Sequence, residues 1–593
     1  MRSQARALSA AIEQGLSGGW FGKDHPLRVA VAALLAATAP QVQADVFTVT
    51  STGDPGASGL SLRQAVAAAS LKPGSTINFA PALVGSMITL TQGQIEIDQP
   101  MSIVGSGVAK LMITTSKTNS RIFYLNGEFT TPPVTIDGLT LNSGTNPADG
   151  SVLYDTDTSL VLQNSVISSG PGGYNVLHIN SVSYDPYVHL KNVYIGKSTL
   201  TGENWIIALT AQQGFGGSLT TEISNCTIAN NSGAGAIYAS GSTNYLSIYH
   251  SRISSNTGGS YGGAVFANGI SKLNIGYSTF DGNSVLTDGG ALFVAGSPFT
   301  IYSSVVNGNT SGRDGGALFL NDVYTGIQDS VISGNTAGGN GGGVLVAGST
   351  TPVGNLALNR TSVTGNQAYD FGAGIDVRRT SGVYIYYSLI NDNSLTDFTS
   401  GANGGGLALQ FVSGPSRITD STVYHNFAYH SGGGIGIFDA GTGNRTAINA
   451  STIARNSTFN AYSNGMVGAG QPTITSSIVA NNANAYSQTQ DLVGSFTVNY
   501  SLIKNPVAAT LTGSHNITNG TDPQLGPLAM NGGTTLSMLP AAGSPVLDHG
   551  SAAGPVTTDQ RGAPRSVGAA PDMGSVERQN PEVIIFRAGF DSP

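Results

Sequence analysis

The feature that most constrains this chain is a block of about 26 residues that returns along much of its length. One half of the block is an alternating segment that ends in Ser-x-Ile-x-x-Asn or a close variant, as in Ser251-Arg252-Ile253-Ser254-Ser255-Asn256. The other half is Gly-Gly-Ala-Leu-Phe-Val-Ala-Gly or a relative, as in Gly289-Gly290-Ala291-Leu292-Phe293 and Gly315-Gly316-Ala317-Leu318-Phe319. The closing asparagines are Asn231, Asn256, Asn283, Asn309, Asn335, Asn366, Asn393, Asn426, Asn456 and Asn482, spaced 25, 27, 26, 26, 31, 27, 33, 30 and 26 apart.

Two short strands per repeat, with no apolar spacing of three or four, exclude the helical repeats. A propeller blade needs about 40 residues. The remaining solution is an all-β, right-handed parallel β-helix in which each repeat is one turn, of the single-stranded, pectin-lyase-like solenoid kind. Coils over 111–510, with the first ones in 45–110, give about sixteen turns and a rod about 75 Å long. Asn is expected at the sharp turn, where it tolerates the left-handed conformation, with its amide bonded up and down a column. The longer spacings after Asn335, Asn393 and Asn426 are expected to project as loops from one face. A short capping helix is expected at Ser61-Leu62-Arg63-Gln64, whose pattern is that of a capping box; Leu62, Ala65, Val66 and Ala69 then share one face.

Composition agrees. The 593 residues include 81 Gly and 40% apolar residues, enough to fill a long core, and the glycines have no three-residue period. The net charge of −8 and the absence of a basic run argue against nucleic acid as a partner. The single cysteine, Cys226, stands where other repeats carry Ser and reads as a small core residue.

Residues 1–44 read as an export signal, with Arg28 before the apolar run 29–39 and a small-x-small site at Val42-Gln43-Ala44. That run is too short to span a bilayer, and no other segment offers a transmembrane span. No run of ten-residue alternating strands follows the coils, so a self-transporting barrel is not expected and export is expected to use separate machinery.

The termini carry a resemblance. Phe47-Thr48-Val49-Thr50-Ser51-Thr52-Gly53-Asp54, Ser61-Leu62-Arg63-Gln64-Ala65 and Ile77-Asn78-Phe79 resemble a CSLREA-type N-terminal region, with Leu60 and Gln64 in place of that family's Cys and Glu. Within 511–579, four segments resemble the "choice-of-anchor Q" C-terminal region: Asp522-Pro523-Gln524-Leu525-Gly526, Asn531-Gly532-Gly533, Gly543-Ser544-Pro545 and Thr558-Asp559-Gln560-Arg561-Gly562-Ala563-Pro564-Arg565. The resemblance implies an exported β-helix, extracellular or at the outer-membrane surface of a Gram-negative bacterium, related in pattern to polymorphic outer-membrane proteins. It implies no catalytic residue. Residues 580–593 resemble short tails of other exported proteins and read as a sorting tail or a final strand.

Chemistry is sparse by motif. Asp288 and Asp314 each precede Gly-Gly one coil apart, with Asn340 and Asn403 in matching places; stacked, they would form an oxygen column able to take Ca²⁺, the one cofactor the sequence suggests. Asp376, Arg378 and Arg379 are the densest charge cluster and could bind a uronate carboxylate or serve catalysis. Tyr424, His425, Tyr429 and His430 could stack on and bond to a sugar. Each also has a plain structural reading, as turn chemistry, a surface ion pair or packing. The favoured expectation is an exported rod for adhesion, matrix formation or binding of a polysaccharide or host glycan, without catalysis. The alternative is a lyase, epimerase or hydrolase acting on an acidic polysaccharide.

Overall fold

The computed structural model describes residues 43–579, apart from 57, 109, 128, 130, 173, 203, 213–215, 350–353, 399, 400, 402, 439–444, 460–463, 487 and 553–556. The expected signal run and the 580–593 tail lie outside the described residues.

The repeats wind into a parallel β-solenoid of about sixteen turns. Sheet 1 holds 32 strands and takes two strands from each turn; sheet 2 holds 16; sheet 3 is a narrow band of 8 short strands. Every pairing in these three sheets is parallel and joins a strand to its copy one coil on, as in Val265↔Leu292, Leu292↔Leu318 and Leu318↔Val344. The reason is period-two alternation: in Leu292–Ala295 the side chains at Leu292 and Val294 are buried while Phe293 points outward. One continuous aliphatic core runs from Val49 to Ile503.

Corners follow from backbone chemistry. In the Gly-Gly step the first glycine has positive φ (Gly315, φ +64), and a Cβ on the second (Gly316) would lie 2.3 Å from the Gly342 carbonyl oxygen. Only glycine fits both places. The asparagines stack as expected and are fully buried, but they are not the left-handed residues. That conformation falls one residue earlier, at Ser255 (φ 53), His425 (φ 54) and Arg455 (φ 56) among others. The turn residue points outward, which leaves the Asn side chain free to point inward and bond. Each Asn Nδ2 donates to the next Asn Oδ1 at 2.8–3.0 Å, from Asn231 through Asn482. The chain of amides ends on a carboxylate, with Asn482 Nδ2 donating to Asp491 at 2.8 Å.

The extra residues of the longer repeats, expected to project as loops from one face, lie largely outside the described residues, at 350–353, 399, 400, 402 and 439–444.

At the N-terminal end, helix α1 (Leu62–Ser70) carries the expected Ser61–Gln64 capping box and buries Leu62, Ala65, Val66 and Ala69 over the first coil. At the other end, the chain after the last coil turns back along the rod. It lays a two-stranded antiparallel hairpin, Leu525–Ala529 with Ser537–Pro540, and then loops across the corners of four successive coils. Thr535 Oγ1 donates to the Tyr387 carbonyl, Arg565 bonds Asp420 and the Ala450 carbonyl, and the Gly574 N–H donates to the Ser476 carbonyl. No helix among the described residues is long and apolar enough to cross a membrane.

Candidate functional site

Outward positions of sheet 1 fall into columns because the register repeats coil by coil. One column reads Tyr124, Tyr154, His178, Ala208, Tyr238, Phe266, Phe293 and Phe319. From Tyr238 to Phe319 the rings stack nearly parallel, with centroids 5.4, 4.9 and 4.9 Å apart. Stacked rings cover each other's faces and offer edges to solvent. The column beside it is polar: Asn180, Thr210, Ser240 and Asn268.

The small side chain of Ala208 interrupts the aromatic column, and a cleft of about 440 Å³ opens there. Trp205 leans over it, tilted 37° and 39° against Tyr238 and Phe266, and Tyr261 leans from two coils on, tilted 48° against Phe266. These two rings are tilted out of the stack, and both line the cleft.

His178 also lines the cleft, and its orientation is set by its neighbours. Nδ1 lies 2.7 Å from Asp149 Oδ2, and Asn175 Nδ2 donates to Asp149 Oδ1 at 2.9 Å. Burial pushes the Asp149 carboxyl up, but its bonds to His178 and Asn175 and the charge on His178 hold it below the ordinary carboxylate value. An ionised carboxylate only accepts, so the ring proton is on Nδ1. Nε2 faces Thr210 Oγ1 at 3.4 Å, and that hydroxyl donates to Asn180 Oδ1 at 2.8 Å. With its proton given to Asn180, the Thr210 hydroxyl can only accept, so it faces Nε2 as a partner for an N–H. The Trp205 backbone N–H donates to Asn175 Oδ1 at 2.9 Å, which ties the start of that strand to the same network.

The residues singled out from sequence are placed elsewhere. Asp376 and Arg378 share the outward face of their strand, 2.6 Å apart, with Gln410 Nε2 donating to Asp376 at 2.9 Å. Arg378 covers the carboxylate and lies 5.5 Å from the Phe371 ring centre. Asp376 is fully buried, and burial pushes it up to about 6 against the pull of Arg378 and Gln410. It is sealed from a ligand. Arg379 takes the left-handed corner (φ 53) and lies over Phe411, away from that pair.

Asp288 and Asp314 do stack one coil apart in the column that begins with Tyr261. Arg313 pairs with Asp288 and stands 3.8 Å from Asp314, whose Oδ1 accepts the N–H and Nδ2 of Asn340, each at 2.8 Å. Phe371, not an oxygen ligand, holds the next place before Asn403. A guanidinium stands where a Ca²⁺ column was expected, and among the described residues no group of three or more His, Cys, Asp or Glu could hold a metal.

Tyr424 and His425 sit at one corner, where His425 Nδ1 pairs with Asp392 at 2.6 Å. Tyr429 lies across the next short strand and stacks on Phe459 at 4.7 Å. His430 follows it, so the four residues do not make one site. Cys226 is buried, with its thiol donating to the Leu190 and Ser224 carbonyls at 3.3 Å, and burial pushes it up to about 11. It is a core residue.

The cleft residues His178 and Trp205, and Asp149 behind His178, carried no motif. They lie before residue 223, where the repeat template is lost and sequence offers no register. The one signal on offer was Trp205, one of only two tryptophans.

No protein-family model matches the chain, and no curated protein matches it in sequence. Among solved structures, the A-module of an Azotobacter vinelandii mannuronan C-5 epimerase is 11% identical, covering 72% of this chain and 94% of its own, with a TM-score of 0.30. The pectate lyase Pel9A is 15% identical over 91% of this chain and 98% of its own, with a TM-score of 0.21. Tailspike protein 3 of bacteriophage CBA120 is 11% identical over 87% and 68%, with a TM-score of 0.30. Likeness at this level assigns neither substrate nor residues to the chain.

Proposed function

We propose that this protein binds a polysaccharide laid along the axis of the solenoid on sheet 1, over the cleft at Ala208. The observation that carries the reading is the pairing of two parallel columns, one aromatic and one of amides and hydroxyls, with Trp205 and Tyr261 tilted into the opening between coils. A sugar has apolar C–H faces and a hydroxyl rim, and it needs both kinds of partner side by side. The repeat extends the surface in steps of about 4.8 Å, so a polymer meets it repeatedly. In this reading the chain is an exported rod at or beyond the outer surface of a Gram-negative cell, acting in adhesion or matrix formation; the apolar run 29–39 and the likeness of its termini to surface proteins support that location. The test is calorimetric titration of residues 45–593 against a panel of polysaccharides. Trp205→Ala is expected to weaken the bound glycan by about tenfold, with an unchanged melting curve. Wild-type affinity in that variant, or no ligand in the panel, sinks the reading.

A second reading is supported by one observation. His178 lines the cleft and is oriented by the Asp149 carboxylate, an arrangement that acid–base catalysis uses. It would make the protein an enzyme that cleaves or epimerises the same polymer. Release of products or loss of a C–H proton to solvent, abolished by His178→Ala with binding intact, decides for it; binding without turnover decides for the rod alone.

A further inference from the structure

Arg121 is an arginine the fold leaves without an ionic partner. Arg63, Arg252, Arg360 and Arg565 each hold a carboxylate within 2.7 Å, and the unpaired Arg379, Arg417 and Arg455 are exposed to water. Arg121 is half-buried, its Nε is enclosed with no hydrogen-bond partner, and among the described residues no carboxylate lies within ion-pair distance of it. Its guanidinium carbon sits 4.8 Å from the Tyr154 ring centre and 5.5 Å from that of Tyr124. Burial draws its pKa below the usual range, and only Asp149, Tyr154 and Tyr124 pull the other way. Asp149 is itself committed to His178 and Asn175. A cation removed from water without a bound counter-ion is costly, and an anionic ligand would offset that cost.

The position is continuous with the cleft. Tyr124, Tyr154 and His178 are successive rungs of one column, and the Tyr154 and His178 rings are 4.7 Å apart. Arg121 therefore stands beside the track of a polymer lying over Ala208, about two coils or roughly 10 Å from His178.

We propose that Arg121 is an anionic subsite that takes the carboxylate of a uronate residue in an acidic polysaccharide. This rests on the glycan reading of the cleft and names its substrate class. A guanidinium offers a planar fork that matches a carboxylate, and its flat face is already seated on two rings. No lysine or second arginine acts on it, which suits a singly charged group better than a phosphate.

The test uses residues 45–593, an oligogalacturonate, the same oligosaccharide fully methyl-esterified, and a sulfated neutral oligosaccharide. Titrations at low salt compare wild type, Arg121→Met and Trp205→Ala, each first checked by its melting curve. The expected result is that wild type prefers the free acid to the ester by at least about tenfold. Arg121→Met removes that preference and leaves ester binding within about twofold, while Trp205→Ala weakens both. Equal binding of acid and ester by wild type, or a preference that survives Arg121→Met, overturns the subsite and leaves the glycan reading standing. Tighter binding of the sulfated sugar, lost in Arg121→Met, overturns the carboxylate assignment. Failure of every sugar to bind overturns both.

Discussion

Arg565 Nη2 meets Asp420 Oδ1 at 2.5 Å across 145 residues of sequence, with both side chains almost wholly buried. The pair joins the C-terminal region to a corner of the coils, and the same guanidinium bonds the Ala450 and Gly574 carbonyls. Removing one partner leaves a buried charge uncompensated, which costs about 3–5 kcal/mol. Arg565→Met is therefore expected to lower stability by that order, Asp420→Asn by less because Glu577 stays 3.9 Å from the guanidinium, and the double variant by less than the sum of the two. Denaturant titration measures the cycle, and limited proteolysis of Arg565→Met should nick within 511–579 before the coils. Single variants as stable as wild type would remove the clamp from the account.

The asparagine column makes a second prediction. Asn309 Oδ1 accepts both the N–H and the Nδ2 of Asn283, while Asn309 Nδ2 donates to the Phe280 carbonyl and to Asn335. Asn309→Ala leaves several buried groups without partners, at about 1–3 kcal/mol each. Asn309→Asp should be worse, because it sets a charge against the Phe280 carbonyl and the Asn335 amide oxygen. Equilibrium unfolding is expected to rank wild type above Ala and Ala above Asp; a reversed order would mean the column does not carry directional bonds.

What was legible in the sequence was whatever repeats locally. The coil length, the Asn column and the Ser61–Gln64 cap each sit inside one repeat or one helical turn, so spacing alone exposes them. The left-handed position was placed one residue late, because composition marks the column Asn while the turn residue before it varies among Asn, Ser, Gly, Asp, His and Arg. The Asp376 cluster was visible as charge, but its complete burial depends on Phe371, at the corner before its own strand, and on Gln410 from the next coil. Asp149 and His178 are 29 residues apart, and Arg565 and Asp420 are 145 apart. Neither distance is a motif; the first is made by register in coils whose template has decayed, the second by a chain that doubles back.

Cys226 takes a place in the serine column, where the Ser251 hydroxyl accepts its N–H at 3.1 Å. A thiol pushed up to about 11 and enclosed by the core is a poor nucleophile. It should resist iodoacetamide in the native state at pH 8 and react after denaturation. Cys226→Ser restores the residue of the other repeats and is expected to change stability by less than about 1 kcal/mol, read from the melting curve. Rapid native labelling would show that the coil opens there.

Asp491 receives the last bond of the amide chain. Its Oδ1 accepts the N–H and Nδ2 of Asn482, and its Oδ2 accepts the Asn505 N–H at 2.8 Å. Burial nevertheless pushes the carboxyl up to about 6, outweighing those bonds. A folded-state value above the ordinary one means the folded chain holds this proton more tightly than the unfolded chain. The stabilisation it gives is complete below about pH 4 and lost as the pH rises through about 6. Asp491→Asn cannot titrate, so the stability of wild type relative to this variant should fall by up to about 3 kcal/mol between pH 4 and pH 7. Urea titrations at pH 4, 5, 6 and 7 measure the difference, in which the other carboxylates cancel. Parallel stability curves for the two proteins would show that the amide column ends on a carboxylate that is already ionised at pH 4.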